Sequence, residues 1–373
     1  MVKQVKALLV YSFSILCWIQ VQAQSLEKYK NSSATKTFDS IFISTYLKNA
    51  SSKYIAQVDG MNIYSGKKTN QVYLDASRMN LTQNISRTAF AQIPGLTMWD
   101  MDGAGLQINI GSRGTDRHRS IEMNMRQNGY NTNSDMFGYP EVHYTPPLQA
   151  VQQVQLVRGS AALQFGSQFG GMMNYVMKEA DSTKPLSIFS EQKTGSNNFF
   201  NSFNSVGGTK GKLSYYAYYD YRHGDGWRPN ASFNYHAYYA NVIYKFTSKT
   251  SLSFQFSKMD YVQKIAGGLT DIQFRQTSKQ SFRSRNWFNP EINIPALIFK
   301  HKISDDTKFE ITANTLFGQR NSVQFIAAPA IADSFNPLLG SYNPRQVDRD
   351  YYSAFTTEAR LLHHYKLGSI ANV

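Results

Sequence analysis

The chain has 373 residues, with 24 Tyr, 24 Phe and 4 Trp, yet only 17% of it is charged. A soluble globule carries about a quarter charged residues, and no stretch beyond the first 20 residues is apolar for the roughly 18 positions a membrane helix needs. The net charge of +14 is spread along the chain rather than gathered in a basic run, which argues against a nucleic-acid partner. What remains is a β-rich chain of half-polar aromatics.

Residues 1–23 read as an export signal. Lys3 and Lys6 precede an apolar core from Ala7 to Ile19, and Val21-Gln22-Ala23 stand before Gln24. Cys17 is the only cysteine, so the exported chain has no disulfide and no thiolate ligand. The bulky Leu16 before it speaks against lipoprotein processing.

Residues 24–52 form a polar tether that contains one extended apolar run, Asp39-Ser40-Ile41-Phe42-Ile43. From 53 to 181 the pattern is mixed α/β. Val58–Tyr64 and Gln71–Leu74 predict short strands, Asn84 predicts the N-cap of a helix that Pro94-Gly95 stops, and Leu148–Val157 leads into a glycine-punctuated stretch ending at Gly170-Gly171.

After about residue 185 the period becomes 2. Leu252, Phe254 and Phe256 alternate with serines and Gln255; Tyr238, Ala240, Val242 and Tyr244 alternate with Tyr239, Asn241 and Lys245; Phe309, Ile311 and Ala313 alternate with Lys308, Glu310 and Thr312. Phe355, Ala359, Leu361 and Tyr365 alternate with Glu358, Arg360 and Lys366. Each strand thus has one apolar and one polar face, as a wall between lipid and a wet lumen requires. Tight turns at 207–211, 247–249 and 304–307 are separated by excursions at 224–233, 264–295 and 321–350. Short turns on one side and long loops on the other favour a barrel over a secreted β-sandwich.

Residues 83–178 resemble the plug domain of TonB-dependent outer-membrane receptors. The resemblance is carried by Ile93-Pro94-Gly95-Leu96, Ile110-Gly111-Ser112-Arg113-Gly114, Val154-Gln155-Leu156-Val157-Arg158-Gly159-Ser160-Ala161-Ala162-Leu163-Gln164-Phe165-Gly166 and Gly170-Gly171-Met172-Met173-Asn174. Arg126-Gln127-Asn128-Gly129-Tyr130, Gly138-Tyr139-Pro140-Glu141 and the loop text Arg285-Asn286-Trp287-Phe288-Asn289-Pro290 are similar to the ferric-dicitrate-receptor branch. The implied fold is an α+β plug domain (53–181) followed by an incomplete antiparallel transmembrane β-barrel (182–373), about 8 strands of the about 22 such transporters use. A partial chain, unable to transport by itself, is therefore expected.

The resemblance implies a Gram-negative outer-membrane receptor that imports a ferric chelate such as ferric dicitrate, in contact with outer-membrane lipid and energised by a TonB-type periplasmic protein. Asp39, Ser40, Ile41, Phe42 and Ile43 are the candidate TonB box, an extended peptide that would pair by strand addition. Arg113 and Arg158 are expected to hold the plug to acidic wall residues. Candidate ligand-binding residues are Arg126, Gln127, Asn128 and Tyr130 on a plug loop at the outward apex, and Arg275, Lys279, Arg283 and Arg285 on the loop at 264–295. No cofactor is implied, since iron arrives already chelated. No enzymatic constellation is present: HExxH, Walker A and G-x-S-x-G are missing, and the seven histidines are scattered. An uncoupled porin or adhesin has no use for a plug, and a polysaccharide importer of the same superfamily would add a domain for which 24–38 leaves no room.

Overall fold

The computed structural model describes residues 55–64, 69–74, 81, 85–91, 93–100, 105–134, 143–166, 168–368 and 370–372. The signal, the tether with 39–43, Asn84 and Gly138–Glu141 lie outside these residues.

Short strands open the N-terminal domain because Gly60, at φ +62°, turns the chain between β1 (Val58–Asp59) and β2 (Asn62–Ile63). After β3 (Thr69–Tyr73) comes α1 (Ser86–Phe90), then the hairpin of β4 (Leu96–Trp99) and β5 (Asn109–Ser112). The remaining strands are β6 (Met123–Gln127), β7 (Tyr130–Asn131), β8 (Val151–Val157) and β9 (Gly171–Met177). They assemble as a sheet of order β3-β8-β9-β6-β7, in which only β6 and β9 run parallel. Val72, Val154, Leu156, Met125 and Met173 are buried in its core. The Gly170-Gly171 pair is forced by close approach. A Cβ on Gly170 would lie 2.6 Å from the Glu122 carbonyl, and Gly171, at φ +100°, is pressed on the Val157 carbonyl.

The second part is a meander of long strands: β10 (Ser187–Gly195), β11 (Phe199–Lys210), β12 (Leu213–Gly224), β13 (Phe233–Lys245), β14 (Thr250–Lys264), β15 (Trp287–Lys302) and β16 (Thr307–Gln324). A small hairpin, β17 (Phe335–Asn336) and β18 (Ser341–Tyr342), interrupts the loop before β19 (Gln346–His363). The eight long strands pair antiparallel in the order β10-β11-β12-β13-β14-β15-β16-β19, and among the described residues β10 and β19 have no wall neighbour on their outer sides. The sheet is an open arc of barrel wall. A last hairpin joins Tyr365–Leu367 to Ile370–Asn372 through Gly368 at φ +61°.

The strand alternation comes out as the sequence predicts. Ser253, Gln255 and Ser257 are buried, the last two bonded to the plug, whereas Phe254 on the opposite face is 49% exposed. Tyr235, Tyr239 and Asn241 likewise point inward on β13 while Tyr238, Val242 and Tyr244 point outward. The wall is inside-out relative to a soluble sheet.

The bounds of three excursions and one turn are corrected. The outer excursions are shorter than expected, at 225–232, 265–286 and 325–345, because 287–295 belongs to β15 despite Pro290 and Pro295. Each proline interrupts one ladder only: pairing with β14 lapses at 289–290, and pairing with β16 lapses at 294–295. The Asn289 side-chain amide donates to the Tyr261 carbonyl at 2.6 Å, filling the place of the missing backbone donor. Gly207 and Gly208 are not a turn but the end of β11, packed so closely on the Pro185 carbonyl that Gly208 has no room for a Cβ.

Candidate functional site

The plug meets the wall along a polar seam, and the residues expected to bind ligand at the apex lie in it. Asn128 and Gly129 take φ values of +47° and +89° in the turn between β6 and β7, which sets the turn against the mid-height of the wall. Arg126, 3% exposed, forms a bidentate pair with Glu358 of β19, with Nη2–Oε1 at 2.6 Å and Nη1–Oε2 at 3.0 Å. Gln127 donates to the Ser257 hydroxyl at 2.9 Å and accepts from the Tyr144 hydroxyl at 2.6 Å. Asn128 donates to Gln255 Oε1 at 2.9 Å and to the Tyr239 hydroxyl at 3.1 Å. Tyr130 is buried, and burial, reinforced by Tyr144, holds its phenol well above the usual tyrosine pKa. Arg126, Gln127 and Asn128 thus bond the plug to the wall, and the buried Tyr130 hydroxyl accepts from Gln127.

The two arginines expected to do that job are placed elsewhere. Arg158 donates to the Pro94 carbonyl at 2.8 Å and to Asn70 Oδ1 at 2.5 Å, both within the plug. Burial first, and the nearby charge of Arg113 second, lower its pKa. Arg113 is exposed, at φ +56°. The wall contact belongs to Arg126.

The outer-loop arginines also divide. Arg283 is 6% exposed and donates to the carbonyls of Phe282 and Ala328 at 3.0 and 3.1 Å, of Ile331 at 2.6 Å, and of Ala327. Arg285 grips Asp333 with two bonds of 2.5 and 3.0 Å and stacks over Tyr342. Hydrogen bonding to Asp333 raises its pKa further. These two side chains clamp 265–286 onto 325–345 rather than facing a ligand. Arg275, on the short helix α2 (Asp271–Gln276), and Lys279 are exposed on the loop surface.

The cavity that does open between plug and outer loops has a volume of about 680 Å³, within the roughly 300–1,000 Å³ usual for small-molecule sites. The plug contributes Arg87, Trp99 and Asp100; the loops and strand ends contribute Asn197, Phe199, Trp227, Arg228, Phe233, Gln263 and Lys264. Arg87 pairs with Asp100 at 2.7 Å while its side chain stays 72% exposed. Arg228 is held by the Gly267 and Gln280 carbonyls at 2.9 and 2.7 Å, and burial lowers its pKa. The Lys264 ammonium has no hydrogen-bond or ion-pair partner among the described residues. Trp99 and Trp227 are 46% and 47% exposed, with Arg117 stacked 5.6 Å from the Trp99 ring.

Three cations against one carboxylate, with two exposed indoles, suit an anionic ligand that also has an apolar face. Of this set only Lys264, the first residue of the 264–295 excursion, falls in the loop from which the sequence draws its candidate ligand residues. A Trp-Arg pair in a long outer loop was the available signal for Trp227 and Arg228; Arg87, Trp99 and Asp100 carried none. Among the described residues no cluster of His, Cys, Asp or Glu could hold a bare metal ion.

No protein-family model matches the chain, and no curated protein does. Solved structures do. The unliganded ferric citrate transporter FecA superposes with a TM-score of 0.70 at 18% identity, covering 83% of this chain and 46% of its own. The ferric-catecholate import receptor Fiu of E. coli K12 gives 0.62 at 13%, covering 83% and 48%. The siderophore receptor PiuA of Acinetobacter baumannii gives 0.61 at 14%, covering 83% and 44%. The likeness is one of fold. This chain spans about half the length of those proteins, which are transport receptors and not enzymes.

Proposed function

We propose that the chain is the plug and first wall strands of an outer-membrane receptor that imports an anionic ferric chelate, of which ferric citrate is the first to test. The observation that carries this reading is the outward cavity lined by Arg87, Arg228 and Lys264 against the single acid Asp100. A chelate with excess negative charge would be steered there and held by charge-assisted hydrogen bonds. The plug beneath it, bonded to the wall at Arg126, Gln127 and Asn128, leaves no use for the chain as an open pore. The exposed Trp99 and Trp227 favour a second reading, a ferric chelate carrying a flat ring.

In this proposal residues 1–23 are removed on export from a Gram-negative cell, and 24–52 tether the plug. Asp39–Ile43 pair with a TonB-type protein, 53–181 form the plug, and 182–373 meet outer-membrane lipid. Uptake of radiolabelled iron as its citrate, measured in cells relying on this receptor, tests the reading. Substitution of Arg87 and Lys264 by Ala should weaken binding, whereas deletion of 39–43 should leave binding and stop uptake. Uptake unaffected by both changes refutes the assignment.

A further inference from the structure

The outward cavity has a buried neighbour. Gly224 of β12 and Phe233 of β13 line the cavity and pair with each other in register. One inward-facing step down the same strands, the register pairs Arg222 with Tyr235. The Arg222 side chain is 1% exposed. Its guanidinium lies 4.2 Å from the centre of the Tyr235 ring. Nε donates to Asp220 Oδ2 at 3.0 Å, whereas among the described residues Nη1 and Nη2 have only the buried Tyr235 hydroxyl beside them, with none of these groups making a hydrogen bond of normal geometry.

Asp220 does not complete the guanidinium. Its other oxygen already accepts from the Asn201 amide at 2.5 Å, and Asn201 in turn accepts from Gln149 of the plug at 3.2 Å. A buried guanidinium with two open donor groups is costly, since desolvation is incurred without the bonds that offset it. The open edge presents a planar pair of N–H groups, the geometry that a carboxylate matches. Phe233, two residues before Tyr235 on the same face of β13, is the cavity-lining residue next along the strand. Gly224 leaves it room, for a Cβ there would lie 2.9 Å from the ring edge.

We propose that Arg222, with the Tyr235 hydroxyl, forms a second anion subsite below the outward cavity, for a small anion such as a carboxylate or a halide. As a station on an import route it rests on the proposed function; as an anion site it does not.

Bromide tests it directly. Crystals of the receptor purified from outer membranes, soaked in sodium bromide, should show an anomalous peak in contact with Arg222 Nη1 or Nη2. In solution, bromide or acetate should raise Tm saturably. That rise should be lost in Arg222→Gln, weakened in Arg222→Lys, and kept in Lys210→Gln, which changes an exposed cation at the opposite end of the β11–β12 pair. Absence of the peak, or an unchanged response in a folded Arg222→Gln, overturns the subsite. Should Arg222→Gln not fold, the bromide map of the unaltered receptor decides. Bromide at Arg222 without ferric citrate uptake would refute the import reading and leave the subsite standing; uptake without bromide would do the reverse.

Discussion

Replacing Glu358 by Ala should loosen the plug. Glu358 receives both terminal nitrogens of Arg126 and also the Arg360 guanidinium at 2.9 Å. After the substitution Arg126 keeps its bonds to Asn124 Oδ1 at 2.9 Å and the Gly129 carbonyl at 2.7 Å, so it remains in place as an uncompensated buried cation. Removing one partner of a buried pair costs about 3–5 kcal/mol. Glu358 is 24% exposed, so water recovers part of this and about 3 kcal/mol is expected. The docked-to-released ratio of the plug would fall by about a hundredfold. The assay is urea titration of the receptor in detergent, read by plug protease sensitivity, with entry of a large antibiotic into cells as the functional counterpart. Replacing Arg126 by Met and Glu358 by Leu together should cost much less than Glu358→Ala, because no charge is left unpaired. An unchanged midpoint and unchanged permeability in Glu358→Ala would show that the pair does not hold the plug.

Gly171→Ala should destabilise the plug by about 2 kcal/mol or more, because both φ and the Val157 carbonyl exclude a methyl; yield of folded receptor and urea midpoint check it. Arg283→Ala should free the clamp between 265–286 and 325–345, giving faster proteolysis in these loops, and Arg283→Lys should not restore it, since one ammonium cannot reach four carbonyls. Asn289→Ala should cost about 1 kcal/mol by orphaning the Tyr261 carbonyl beside Pro290, visible as a lower thermal midpoint of the wall.

Sequence and structure agree where a rule is local. Alternation along β13, β14, β16 and β19 identifies the inward face residue by residue, since side chains on a strand have a period of 2. Gly170 and Gly171 are legible for a similar reason: their spacing marks a tight backbone passage. Local rules failed at Pro290 and Pro295, which read as loop, because a side-chain bond from Asn289 and a one-sided lapse in the ladder let the strand continue.

Arginine roles were not legible. Arg126, Arg158 and Arg283 are not told apart by their sequence neighbours, which are Met125 and Gln127, Val157 and Gly159, and Phe282 and Ser284. Their partners lie 232, 88 and 48 positions away, and no window of sequence contains both ends of such a bond.

By itself, then, the sequence determined the plug-then-wall order, eight long strands with their faces, and the glycines that let the plug close. Those features follow from short-range periodicity and backbone sterics. Only the tertiary structure decided which cations bolt the fold together and which line the outward cavity. Burial at the seam commits Arg126 to Glu358, clamping commits Arg283 and Arg285 to the loops, and the outward cavity is left to Arg87, Lys264 and two exposed tryptophans.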